Sequence, residues 1–216
     1  MKLLHTNNFD PLSVVEGESL SLIDVFDVPW RKTITLDTHS SLIYLVVGPN
    51  IGIDIDIITR WPYCSCLIFW LFRSDGHHVL ADSLKVSLAH SHTSANVELI
   101  SFLYEGAKIS IDGSLDIWSH LNQVYGRLLE HNIVLGKNIS LKTLPKLNIA
   151  SYNVTAAHGA SIDTFDHQKL FYMMSRGLSK EQSQTLLVRG YIDTVLAHFE
   201  EISDKEKDSV YKKLIK

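Results

Sequence analysis

Residues Ser151–Val195, SYNVTAAHGASIDTFDHQKLFYMMSRGLSKEQSQTLLVRGYIDTV, hold two hydrophobic periods in one stretch. The first part is extended and alternating. The second reads as two helices. From residue 166 to 175, Leu170, Phe171 and Met174 fall on one helical face, and Gly177 stands where a left-handed residue ends a helix. Ser179 with Gln182 makes a capping box for the next helix. Its Val188, Ile192, Val195, Leu196 and Phe199 form a core-facing stripe. Ser203 with Glu206 caps a third, charged helix with a thinner stripe of Val210 and Leu214. Between the two periods stands His158-Gly159-Ala160-Ser161.

Upstream, from about Thr33 to Val154, short extended segments replace any helical period. Thr33–Leu36 alternates, Ser41–Val47 is a buried-type run, and Ile51–Ile57 has a period of two. Val97–Phe102, Lys108–Ile111, Leu115–Trp118, Ile133–Leu135 and Leu147–Ile149 continue the series. Turn residues separate them: Gly48-Pro49-Asn50, Ser74-Asp75-Gly76, Glu105-Gly106 and Asp112-Gly113. This predicts a mainly β chain with a small helical end. Sandwich, barrel and solenoid all fit the pattern.

The chain has 216 residues, 45% of them hydrophobic, enough to bury the core of one elongated domain or of a domain with an appendage. A formal net charge of -4 gives no footprint for nucleic acid, and no Lys/Arg cluster suggests a membrane surface. The apolar run Cys66–Phe72 falls far short of the roughly 20 residues of a membrane span. The start, MKLLHTNNFDPL, lacks the apolar core and cleavage site of a signal peptide. These features lead us to expect a soluble, cytoplasmic protein.

The order and spacing of His158-Gly159-Ala160-Ser161, Leu170-Phe171-Tyr172 and Ser175-Arg176-Gly177-Leu178 resemble the carboxy-terminal region of the SufB/SufD family, scaffolds of iron–sulfur cluster assembly. Leu88–Ser94, Tyr104–Ala107 and Leu144–Ile149 resemble earlier family segments. The His-Gly-Ala-Ser form is closer to SufD, because SufB has a Glu after the motif His. SufB also has a Cys about 28 residues ahead of that His, where this chain has Glu130. The resemblance implies a right-handed parallel β-helix over residues 1–157 and a helical partner-docking region over 158–216. It further implies a short member of the family, lacking a helical region ahead of the β-helix.

For function, the resemblance implies a non-catalytic scaffold, with His158 at the interface to a SufB-like subunit or a second copy. There the imidazole, a good iron ligand, would help form a transient cluster shared with the partner. A plainer alternative is that His158 ends the last rung and bonds a carbonyl. No cofactor is expected to bind tightly to this chain alone. The helices would dock a SufC-like ATPase through Tyr172, Arg176 and Gly177. Packing is the more ordinary role for Phe171, and Arg176 also complements the helix dipole. No Walker A loop, G-x-G-x-x-G, H-E-x-x-H or G-x-S-x-G motif is present, so ATP use belongs to a partner.

Three weaker sites remain. Cys64 and Cys66, with His77 and His78 near in sequence, form a C-x-C pair that reads either as a thiolate site or as small buried hydrophobes. Asp54 and Asp56 share a strand face, the arrangement of a carbohydrate-active β-helix enzyme or of a plain solvated face. His90 and His92 would be same-face neighbours suited to a metal or simply exposed.

Overall fold

Alternation along the chain becomes alternation between two sheets. A computed structural model describes residues 2–4, 11–26, 28–49, 52–76, 81–164, 167–199 and 202–215. One sheet contains β1 (Lys2–Leu4), β3 (Ser19–Val25), β5 (Ser41–Pro49), β7 (Ser65–Ser74), β9 (Ser94–Leu103), β11 (Asn122–Val134) and β14 (Asn153–Thr164), in that order. The other runs β2 (Leu12–Val14), β4 (Trp30–Leu36), β6 (Ile53–Thr59), β8 (Ala81–Leu88), β10 (Lys108–Ile117) and β12 (Ser140–Thr143), with β13 (Lys146–Ile149) also paired to β10. All strand pairings among the described residues are parallel.

Parallel partners point the same way, so like positions stack. Leu22, Tyr44, Ile68, Val97 and Leu128 form one inward column of the first sheet. Ile34, Ile57, Val86 and Leu115 form a facing column on the second. Together they belong to a single core between the sheets. The corners repeat as well. Gly17, His39, Tyr63, His92 and Gln123 all take left-handed φ. The amides of Gly17, His39 and His92 each bond a carbonyl of the next layer. The rings of His39, Tyr63 and His92 stack at 4.8 and 4.9 Å.

The outer face of the first sheet is also apolar and is covered by the helices. α1 (His167–Ser175), α2 (Lys180–Leu196) and α3 (Asp204–Leu214) follow the last strand. Both expected capping boxes are present. Val188, Ile192, Val195, Leu196, Phe199, Val210 and Leu214 are buried against Leu45, Val47, Phe69, Leu71, Phe102 and Ile133. Arg73 and the Tyr104 hydroxyl donate to the carbonyls of Ile215 and Leu214, fastening the end of α3 to this face.

Several expectations change. β14 runs through His158 to Thr164, so the change of period comes after the 157/158 division, held back by a continuous register between β14 and β11. Asp112-Gly113 is no turn: it lies inside β10, where the missing side chain of Gly113 admits Glu130 from the opposite sheet. Strands also precede Thr33, and β7 and β8 were not expected as separate strands.

Candidate functional site

β14 is the end strand of its sheet, paired only with β11 among the described residues. Val154, Ala156, His158, Ala160, Ile162 and Thr164 point inward, over Val124, Gly126, Leu128, Glu130, Asn132 and Val134. No further layer among the described residues covers them, and His158 and Ala160 are exposed and Ile162 is 64% exposed. Leu144, Ile149 and Tyr152 at the same end are also exposed.

His158 spans this open end. Its Nδ1 lies 2.9 Å from the Pro145 carbonyl oxygen, between β12 and β13 of the other sheet. A carbonyl only accepts, so Nδ1 carries the proton and donates. In the neutral ring Nε2 then keeps a lone pair, and the carbonyl orients the imidazole as second-shell carbonyls do for ligating histidines.

Beneath Ala160 sits Glu130, 1% exposed, both its carboxylate oxygens without a hydrogen-bond partner among the described residues. Burial first, and then the Asp112 charge, pushes its carboxyl up to about 7. Sequence reasoning met Glu130 only as a position without cysteine. A lone Glu amid Leu128, Leu129 and Ile133 was the signal to follow.

Tyr172, Arg176 and Gly177 come together at the end of α1. The Arg176 guanidinium lies 5.2 Å from the centroid of the Tyr172 ring, and Tyr172 is 59% exposed. Gly177, at φ +94°, carries the turn, with its amide bonded to the Met174 carbonyl. Phe171 is 75% exposed, so the expected packing of this ring onto the β region is not found; Leu170 of the same helix is buried, in the cluster that joins the helices to the first sheet. Six steps along the strand, about 20 Å, separate His158 from Thr164, so the imidazole and the α1 surface are distinct places.

The weaker sites resolve structurally. Cys64 and Cys66 are free and buried. The Cys64 thiol donates to the Asp37 carbonyl at 2.8 Å, and burial pushes the Cys66 thiol up to about 12. His77 and His78 lie outside the described residues. Among the described residues, no group of three or more His, Cys, Asp or Glu is placed to hold a metal. Asp54 binds Arg31 at 3.0 Å and accepts from Ser83 at 2.6 Å, a cross-strand ladder on the outer face. His90 and His92 occupy a corner, not a strand: Nδ1 of His90 accepts from the Ser91 amide, and His92 stacks on Tyr63.

A SufBD core domain of the SUF system for FeS cluster assembly matches residues 39–191, from the second corner to the middle of α2. The chain belongs to the SufBD family. Relatives include an iron-sulfur cluster assembly SufBD family protein of Mycobacterium leprae, 31% identical over 140 residues, covering 58% of this chain and 34% of the relative. Iron-sulfur cluster assembly protein SufD of Escherichia coli is 26% identical over 80 residues, 37% of this chain and 19% of SufD. SufB of Bacillus subtilis is 25% identical over 118 residues, 55% of this chain and 25% of SufB. This SufBD chain thus spans about a third or less of these relatives' lengths, and both branches match it. No helix among the described residues is long and apolar enough to cross a membrane.

Proposed function

We propose that this SufBD chain is a SufD-like, non-catalytic scaffold subunit in iron–sulfur cluster assembly, coiled as a right-handed parallel β-helix and working in the cytoplasm. Its partners are a SufB-like subunit or a second copy of itself, and a SufC-like ATPase. The observation that carries this reading is the SufBD core match, which takes in His158 on an uncovered end strand.

A strand with one free edge accepts a partner strand by β-addition. Across such a junction His158 offers its Nε2 to iron, while Gly159 and Ala160 leave room for close approach. Cys64 and Cys66 are buried away from this end, so the thiolates come from the partner. Iron and sulfide are cargo here, held between subunits. The ATPase docks on the exposed Phe171, Tyr172 and Arg176, and its movement, transmitted through α1 and α2, reshapes the interface at β14.

The test is His158→Ala in the complex isolated from native extract. Assembly should persist, because Gly159 and Ala160 are unchanged, while iron and sulfide content and visible absorbance fall. Full loading of the variant complex would remove the cluster role. The hydrogen bond from His158 to Pro145 favours a second reading for that case, an interaction protein in which the imidazole only ties the last layer together.

A further inference from the structure

The inward column that ends at Ala160 contains Asp24, Val46, Trp70, Leu99 and Glu130. Facing it on the other sheet stand Lys32, Ile55, Leu84 and Gly113. Near the amino-terminal end of this pair of columns the buried carboxylate of Asp24 meets the Lys32 ammonium at 2.6 Å and accepts from the Tyr44 hydroxyl at 2.9 Å. Near the other end Glu130 faces Gly113. A Cβ there would come within 2.8 Å of Glu130 Oε1, so the missing side chain makes room for the carboxyl without supplying a cation.

We propose that Glu130 is a proton-operated latch for the last strand: β14 stays closed over the interior while the carboxyl is neutral and lifts locally when it ionises. The neutral acid is the only form that an apolar interior tolerates without a partner, and a buried carboxylate must be paired or hydrated. Water is nearest on the β14 side, where the Ala160 methyl alone stands above Glu130 in register. Among the described residues β14 has no outer neighbour strand, and the side-chain hydrogen bonds that tie it to the rest of the stack are His158 to the Pro145 carbonyl, the Asn132 amide to the Ser161 carbonyl, and His131 to the Ser161 hydroxyl. The charges facing Glu130 do not rescue the anion. Asp112 of β10 repels it from outside the wall and itself holds Lys146 of β13 at 2.6 Å, while His158 of β14 has its Nδ1 proton committed to Pro145.

The latch is tested on the isolated full chain, so the result does not depend on the proposed complex. Hydrogen exchange followed by mass spectrometry, corrected for intrinsic rates, would compare β14 with β5 and β7 at pH values from about 5 to 8.5. Protection of β14 should fall by about one to two orders of magnitude between about pH 5 and pH 7 and level off above, and should lie below that of β5 and β7 throughout. In Glu130→Gln it should stay high throughout; if that variant does not fold, Glu130→Leu replaces it with the same expectation. A wild-type β14 insensitive to pH would overturn the proposal. So would an equal loss in the neutral variant, or protection of β14 no lower than that of β5 and β7, which would mean that the strand opens only when the whole fold does.

Discussion

Lys32→Met tests how the amino-terminal half of the interior is held. Lys32 is 2% exposed, with its Nζ 2.6 Å from Asp24 Oδ2 and above the rings of Trp30 and Tyr44 at 5.2 and 5.7 Å. Methionine keeps the stem and loses the charge, so the Asp24 carboxylate remains in an apolar setting without its ammonium. Removing one member of a buried pair costs about 3–5 kcal/mol, far more than the roughly 1 kcal/mol of an exposed ion pair. For a chain of this size that is a fall in Tm of roughly 10 °C. Urea unfolding followed by tryptophan fluorescence is a suitable assay, because Trp30 and Trp70 are buried between the sheets. Replacing the whole cluster, Lys32→Met with Asp24→Leu and Tyr44→Phe, removes the ion pair and its hydroxyl donor together and should restore most of the loss. If Lys32→Met alone stayed within about 1 kcal/mol of the native chain, the reading of this pair as a structural tie would be wrong.

Other expectations follow from single contacts. Burial raises the carboxyls of Glu130, to about 7, and Asp82, to about 6, so between their unfolded and folded values the native chain holds protons that the unfolded chain releases. Their contribution to stability is therefore full in acid and is lost as pH rises. The Glu130 share is about 3 kcal/mol by pH 8, and chemical unfolding of Glu130→Gln should lack that share of the slope. Gly190 sits inside α2 with no heavy atom within 4 Å of an added Cβ, so Gly190→Ala should stabilise by about 0.5–1 kcal/mol in thermal unfolding. Replacing both Tyr172 and Arg176 by Ala removes one exposed cation–π contact, so stability should change by less than about 1 kcal/mol. Retention of a SufC-like ATPase in a pull-down should nevertheless drop, and equal losses of stability and retention would mark both residues as packing.

What was legible in the sequence was local. Capping boxes join residues three apart, and both formed where Ser179–Gln182 and Ser203–Glu206 predicted them. Val188, Ile192, Val195 and Leu196 of the expected stripe lie on α2 and are buried, whereas Phe199, also buried, falls beyond the helix end at Leu196. Strand segments were recognisable as periods of two, but their limits moved because ladder pairing continues through residues that read as turns. Gly113 shows why: its purpose lies in Glu130, seventeen positions on and in the other sheet. The candidate site was half legible. The motif pointed to His158 and to the end of α1, but not to the Pro145 carbonyl that orients the ring or to the exposure of Phe171.

By itself, then, the sequence determined the chain's periods, its caps and its family motif, because each depends on neighbours within one turn of helix or a few strand residues. Tertiary structure decided which side chains meet across the sheets and which are left uncovered. The Asp24–Lys32 pair, the cation-free Glu130 and the bare edge of β14 all depend on stacking register, which sets contacts between residues many positions apart and which no local pattern encodes.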